Sequence, residues 1–269
     1  MATPPDTCWG FDGKVALVTG GGNGIGRAVA IAFARNGASV AVIDTDLAAA
    51  DETCALANQN GEKAKSWRCD VGSEAEIHET VAEVIREFSA IDILFNNAGT
   101  NRRIKLADWT ADDWNAVIRV NFVGAFCMAR AVGLHMVERR TGCIVNMSAL
   151  GGGVIGLGRG TEIYTATKGA VAAMSRDLAA EWAQYGVRVN SVAPGWIETQ
   201  MNAPLMNHPV ASQRVLERVP LGRWGKPEDV VGPVLFLASE HARFITGHLL
   251  PIDGGAGNII RLTTDDVIR

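Results

Sequence analysis

KVALVTGGGNGIG, residues 14–26, decides how the rest of the chain is read. An apolar β-branched run ends at Thr19, and five of the next seven residues are glycine: Gly20, Gly21, Gly22, Gly24 and Gly26. Glycine loses the most backbone entropy on folding and has no side chain to pack. A cluster of them at a strand's end makes sense only if the backbone itself must come close to something. A strand, a glycine turn and a helix opening near Ile25 place unpaired helix amides and the positive end of the helix dipole at the strand's carboxyl end. That arrangement favours a phosphate. The spacing is T-G-x-x-x-G-x-G from Thr19 to Gly26, distinct from the generic G-x-G-x-x-G turn. Gly20, Asn23, Gly24, Ile25 and Gly26 are the candidate phosphate-side residues. A tight turn without a ligand is the bland alternative.

Outward from this turn, short apolar runs alternate with helical patterns. The candidate strands are 15–19, 39–43, 64–69, 91–96, 143–148, 187–193 and 248–252, and the candidate helices lie near 25–36, 46–59, 74–88, 111–139, 163–184 and 227–238. The strands are apolar almost throughout, as strands buried on both faces are. This rhythm predicts one doubly wound α/β domain over 1–269, with a parallel sheet of about seven strands and helices on both faces. The stretch 196–225 has no clear period and is expected to be a lid over the site. The tail after Gly255 has no assigned role; crossing to a neighbouring subunit and disorder are both open.

Composition narrows the class. With 25 basic and 29 acidic residues the net charge is −4, which gives no electrostatic reason to expect nucleic acid or an anionic membrane. Cys8, Cys54, Cys69, Cys127 and Cys143 are far apart, and the five histidines show no ligand spacing, so neither a disulfide framework nor a metal site is expected. The leader MATPPDTCWG lacks the pattern of a secretory signal, and no run approaches the ~18 apolar residues of a membrane span. A soluble, reduced, cytoplasmic protein is the expectation.

The second strand pattern ends at Asp44. A carboxylate there can accept hydrogen bonds from a ribose diol and repels a 2′-phosphate. No obvious cation for that phosphate stands before Arg27 or just after Asp44, so NAD is favoured over NADP. Asp44, Thr45 and Asp46 also suit the N-cap of the next helix.

Seven stretches in order, TGGGNGIG (19–26), CDV (69–71), NNAG (96–99), VNFVGAF (120–126), YTATK (164–168), APGWIET (193–199) and PIDGG (251–255), resemble the motifs of the short-chain dehydrogenase/reductase family over nearly the whole chain. The resemblance implies that Asp70 and Val71 contact the adenine and that Asn97, Ala98 and Gly99 flank the cofactor. It further implies that Pro194, Gly195 and Ile197 meet the nicotinamide, with Thr199 reaching the cofactor. It maps the family's Y-x-x-x-K onto Tyr164 and Lys168, and its water-chain asparagine onto Asn121. Residues four apart on a helix share a face. A phenol with pKa near 10 is a poor base at neutral pH. An ammonium ~4 Å away is worth roughly 4 kcal/mol at an effective dielectric near 20, enough to bring it within reach. Tyr164 is then the expected proton acceptor in oxidation and donor in reduction.

One position departs from the family, which carries a serine at the end of the fifth strand. A rigid alignment of GCIVNMSALGGG puts Ala149 there and Ser148 one place early, and a one-residue shift turns a side chain to the opposite face. The glycines at 151–153 could permit a bulge that brings Ser148 round, and Ser148 is retained as the expected catalytic serine. For substrate, Arg102 and Arg103 after NNAG, and Arg159 before Tyr164, are candidate anion binders, with solvated or intersubunit arginines as the alternative. Family members acting on sugars, sugar acids and polyols, gluconate dehydrogenases among them, look similar here. The expected reaction is therefore NAD-dependent interconversion of a secondary alcohol and a ketone on such a substrate. A reductase of hydrophobic ketones, of fatty-acyl or steroid type, and a weakly catalytic cofactor-binding sensor are the alternatives. The resemblance also implies a homotetramer formed through 111–139, 163–184 and the C-terminal strand.

Overall fold

A computed structural model of the chain describes residues 9–60, 63–152, 154–156 and 160–259. Seven strands, β1 (Val15–Thr19), β2 (Ser39–Asp44), β3 (Ala64–Arg68), β4 (Ile93–Asn96), β5 (Gly142–Met147), β6 (Val187–Pro194) and β7 (Leu249–Ile252), form one sheet in the order 3-2-1-4-5-6-7. Every pairing is parallel, with Leu17 opposite Ala41 on one side and Leu94 on the other. The chain winds outward from β1 to β3, then crosses back to lay β4 against the other edge of β1. Beyond the carboxyl ends of β1 and β4 the connections diverge and leave a crevice, where ligands bind in such sheets.

The period of two sorts strand residues between the two faces. Ala16, Val18, Val40, Val42, Phe95 and Val145 pack with Val29 and Phe33 of α1 (Gly24–Arg35) and Val230 and Val234 of α9 (Pro227–Ala238). Leu17, Ala41, Ile43, Leu94, Ile144 and Val189 pack on the opposite face with α3 (Glu74–Phe88), α5 (Ala125–Arg139) and α6 (Glu162–Trp182). The two edge strands depart from the expectation of strands buried on both faces: β3 and β7 are half-buried, with Lys65 and Arg68 of β3 exposed.

Several helix starts carry side-chain caps, while α1 and α6 are among those that do not. Asp46 caps α2 (Leu47–Ala57), Ser73 caps α3, and Thr110 with Asp113 forms a capping box on α4 (Ala111–Ile118). α1 has Asn23 at its N-cap, but that side chain makes no capping bond, and no acidic residue stands in its first turn.

The helical pattern over 111–139 resolves into α4, a π-helical turn at Arg119–Gly124, and α5. At Gly124, the last residue of this turn, a Cβ would overlap the Val71 carbonyl, so the chain presses close to the loop after β3. By length and composition Ala111–Arg139 is apolar enough to cross a membrane, which the sequence reading did not register. Half of that apolar window is buried in the domain, including Met128, Ala129, Val132 and Met136.

The segment 196–225 is also more ordered than its pattern suggests. It contains α7 (Ala203–Met206) and α8 (Pro209–Arg218), and Val215 is the one fully buried residue on α8, too few to print a helical period. The two ends of the segment are zipped together, Glu198 N–H donating to the Gly225 carbonyl (2.8 Å) and Gly225 N–H to the Trp196 carbonyl (2.9 Å). Leu150, Trp196, Val215, Val219 and Trp224 form a third, separate core beneath it, and Ala256 packs there too. The rest of the tail, residues 260–269, lies outside the described residues, as does Cys8.

Candidate active site

The crevice is a cavity of about 580 Å³ bounded by the glycine turn, the carboxyl ends of the central strands, α6 and the lid. At its dinucleotide end the backbone is held by a closed set of hydrogen bonds. Thr19 Oγ1 accepts from the amides of Asn97 and Ala98 (both 3.0 Å), and Asn97 Nδ2 donates to the carbonyls of Thr19 (2.9 Å) and Gly20 (3.1 Å). Asn96 Nδ2 donates to Asn146 Oδ1 (3.0 Å) and to the Ala125 carbonyl (2.8 Å), tying β4 to β5 and α5. The asparagines of NNAG thus hold the strand ends in place.

Gly20 sits at φ +63°, and a Cβ there would stand 2.9 Å from the Ala98 Cα, so both backbone conformation and close approach require glycine. Gly26 differs from its neighbours in the motif. It does not border the cavity; a Cβ on it would overlap the Gly20 carbonyl oxygen, so its part is to let α1 pack under the turn. Asn23, Gly24 and Ile25 do border it, and with α1 uncapped the first helical amides are left for an anion. Asp44 stands at the rim. Its Oδ2 accepts from Gly22 N–H (2.9 Å) and its Oδ1 from Asp46 N–H (3.1 Å), so the N-cap of α2 is Asp46 and not Asp44. Asp70, Val71, Asn97, Ala98, Gly99, Pro194, Gly195, Ile197 and Thr199 all line the same cavity. Asp70 is itself held by Arg119 (2.8 Å) and the Gly72 amide (2.8 Å). These residues fit a dinucleotide: bare amides for phosphates, a carboxylate for a ribose diol, small residues along the floor.

At the other end, α6 brings Tyr164 and Lys168 to one wall, with Lys168 Nζ 5.9 Å from the Tyr164 ring centroid. Lys168 is buried and donates to the Met147 carbonyl at 2.7 Å. Burial pushes its pKa down to about 8, which leaves it charged at neutral pH. Asn121, on the π-helical turn, clamps Thr100 from both sides: Oδ1 accepts from the Thr100 amide (2.7 Å) and Nδ2 donates to its carbonyl (2.8 Å). A Cβ on Gly99 would lie 3.3 Å from Asn121 Oδ1 and 3.4 Å from Lys168 Nζ, which places the three residues together. A π turn inside an α-helix often marks a functional position.

Ser148 borders the cavity, with its hydroxyl bonded to α6. The ladder to β6 continues past the end of β5 in regular register, Ser148 N–H donating to Val192 and Leu150 N–H to Pro194, so no bulge intervenes. Ile144, Asn146 and Ser148 therefore all face α6, and Ser148 Oγ donates to the Lys168 carbonyl at 2.8 Å. Its proton is spent there, and Ala149 presents no hydroxyl to the cavity. Arg102 also differs from expectation. It pairs with Asp113 at the start of α4 and does not border the cavity, because the acidic capping box competes for it. Arg103 reaches the lid, donating to the Met201 carbonyl (3.4 Å) and Asn202 Oδ1 (3.3 Å). Arg159 lies outside the described residues. The sequence reading missed Thr161 and Asn101 as cavity residues. Thr161 stands one turn before Tyr164 and was findable from that spacing; Asn101 carries no local signal.

The family model described as enoyl-(acyl carrier protein) reductase matches residues 20–257, from the glycine turn to the tail. The chain is a short-chain dehydrogenase/reductase. It is 37% identical over 246 residues to 2-dehydro-3-deoxy-D-gluconate 5-dehydrogenase of Bacillus subtilis, covering 90% of this chain and 94% of that one. It is 39% identical over 247 residues to the 3-oxoacyl-[acyl-carrier-protein] reductase FabG of Thermotoga maritima, covering 91% and 98%. The crystal structure of a gluconate 5-dehydrogenase from Burkholderia cenocepacia J2315, in complex with NADP and tartrate, superposes with a TM-score of 0.89 at 36% identity, covering 94% and 98% of the two chains. This short-chain dehydrogenase/reductase is accordingly an oxidoreductase that uses a dinucleotide and acts on hydroxyl groups.

Proposed function

We propose that this enzyme interconverts a secondary hydroxyl and a ketone on a sugar acid or related polyol, with NAD as its cofactor, in the cytoplasm and as a homotetramer. The observation that carries the reading is that Tyr164 and charged Lys168 share one wall of a cavity whose other end is an uncapped helix start, with Asn121 bonded to Thr100 of the cavity lining.

In the oxidative direction the Tyr164 oxygen takes the proton of the substrate hydroxyl, and the Lys168 ammonium stabilises the phenolate that makes this possible. The bound dinucleotide supplies the hydride acceptor, or the donor in reduction. Asn121 fixes the loop that carries Thr100, so the wall facing Tyr164 does not shift during proton transfer. Arg103, on the loop after β4, is bonded to the lid and does not itself border the cavity; it is the arginine this reading assigns to an anionic substrate. Relatives named for gluconates and for galactitol support the substrate class.

For the cofactor, Asp44 carries a negative charge where a 2′-phosphate would lie, and the arginine that follows the glycine turn, Arg27, is spent on Glu52 and the Gly22 carbonyl. That supports NAD although related structures hold NADP. Trp114, Val123, Phe126 and Leu134, exposed along α4 to α5, are apolar surface consistent with assembly. The test is a panel of aldonic acids, polyols and hydrophobic ketones with each dinucleotide. Turnover of gluconate-type acids with NAD at ten or more times the kcat/KM seen with NADP is expected. Turnover confined to hydrophobic ketones would overturn the substrate class, and equal use of NADP would overturn the cofactor.

A further inference from the structure

We infer that Asn101 is the specificity group of the substrate pocket, its carboxamide pairing with a hydroxyl on the carbon next to the one that reacts. The inference rests on the sugar-acid or polyol reading above.

It follows from the bonding of several polar side chains around Tyr164. Ser148 is spent on the Lys168 carbonyl, Lys168 donates to the Met147 carbonyl, and Asn121 is bonded to Thr100 in both directions. Asn202 donates to the Ile197 carbonyl and accepts from Arg103. Ala149, Leu150 and Met201 offer no polar side-chain atom. Asn101 borders the same cavity, yet its Oδ1 is completely buried and has no hydrogen-bond partner. Buried amide oxygens are almost always paired, and one left without a partner needs a reason. A ligand that completes it is such a reason.

The loop holds Asn101 where such a ligand would be read. One neighbour, Thr100, is clamped by Asn121, and beyond it Gly99 packs beside Lys168. On the other side, Ile104 N–H donates to the Gly160 carbonyl (3.3 Å), joining the loop to the start of α6 just before Thr161 and Tyr164. The loop is thus tied to the helix that carries the proton-transfer residues, and a turn of the Asn101 side chain brings its buried Oδ1 to a bound ligand. A carboxamide offers two donors and an acceptor oxygen, and a hydroxyl is both donor and acceptor, so the two match in either sense. A substrate bearing a hydroxyl beside the reacting carbinol completes the site; a simple secondary alcohol leaves the amide buried and unpaired. Sites built in this way reject the analogue lacking the group far more strongly than apolar pockets reject an extra methylene.

The experiment compares wild type with Asn101→Leu, similar in shape but unable to hydrogen-bond, on gluconate, galactitol and cyclohexanol. Dinucleotide affinity and melting temperature are read in parallel. Asn101→Leu is expected to lower kcat/KM on gluconate and galactitol by about 10² or more. Turnover of cyclohexanol and the dinucleotide Kd should stay within about threefold, and the melting temperature should hold or rise, because an orphaned acceptor has been removed. An equal loss on all three alcohols, a weakened dinucleotide or a lower melting temperature would mark Asn101 as structural and overturn the inference. So would undiminished turnover of gluconate. If Asn101→Leu does not fold, Asn101→Ser is read against the same criteria. A wild-type enzyme inactive on every polyhydroxy compound sinks the substrate class and this inference together. An active wild type with an unaffected variant sinks the inference alone.

Discussion

The two ends of the cavity are built on different terms. At the dinucleotide end the hydrogen-bonding capacity of Thr19, Asn96 and Asn97 is satisfied within the protein, and the contacts left over are backbone amides of α1. At the substrate end the lid stands on its own small core of Leu150, Trp196, Val215, Val219 and Trp224, and a buried carboxamide oxygen has no partner. The first end is complete before anything binds; the second is completed by what it binds. A rigid seat for the common reagent and a pocket that waits for one partner is a division of labour suited to an enzyme whose cofactor is shared and whose substrate is particular.

The sharpest way to break the comparison is Tyr164→Phe. If proton transfer belongs to the substrate end alone, kcat falls by about 10³-fold or more, while dinucleotide affinity measured by fluorescence stays within about twofold. A matching loss of dinucleotide binding would show that the two ends are one unit. Lys168→Met probes the junction between them. Lys168 is buried with a pKa of about 8, below its ordinary value of 10.5. Between those values the unfolded chain binds a proton that the folded one does not, so wild-type stability rises with pH across this window. Below about pH 8 the fold carries the whole cost of a buried ammonium, roughly 3 kcal/mol. Urea unfolding at pH 7.5 and 9.5 should show wild type gaining about 2 kcal/mol relative to Lys168→Met. The variant should also lose about 10²-fold in kcat. A flat difference between the two pH values would mean that Lys168 is not desolvated.

The same contrast explains what the sequence made legible. Strand positions and the parallel order follow from β-branched runs and helical spacing, and the glycine spacing around Gly20 and Gly26 records a backbone constraint that only those residues satisfy. Tyr164 and Lys168 were visible because the motifs around them resemble the family's, whose Y-x-x-x-K falls on these two residues. The substrate wall is assembled from side chains on a loop, a strand end, α6 and the lid, and no local period reports their meeting. Asn101 reads in sequence as one more loop asparagine. Arg102 reads as an anion binder until Asp113, on the far side of a turn, takes it.

Ser148→Ala is the smallest expected effect and the closest test of register. A hydroxyl at the end of the central strands beside Tyr164 would ordinarily be assigned to polarising the substrate oxygen. The ladder argues otherwise, since the amides of Ser148 and Leu150 reach Val192 and Pro194 at regular spacing and the side chain is left facing α6. Gly152 closes over it, for a Cβ there would stand 2.8 Å from Ser148 Oγ and 2.7 Å from the Lys168 carbonyl carbon. The hydroxyl therefore holds one turn of α6 against the strand. Its removal should cost about 1 kcal/mol of stability, with kcat lowered by less than about tenfold, since the proton-transfer groups remain charged and in place. A hundredfold fall in kcat at unchanged stability would put the hydroxyl on the substrate instead. The carbonyl of Lys168 would then have to find its donor elsewhere, and the strand would have to slip by a residue to allow it.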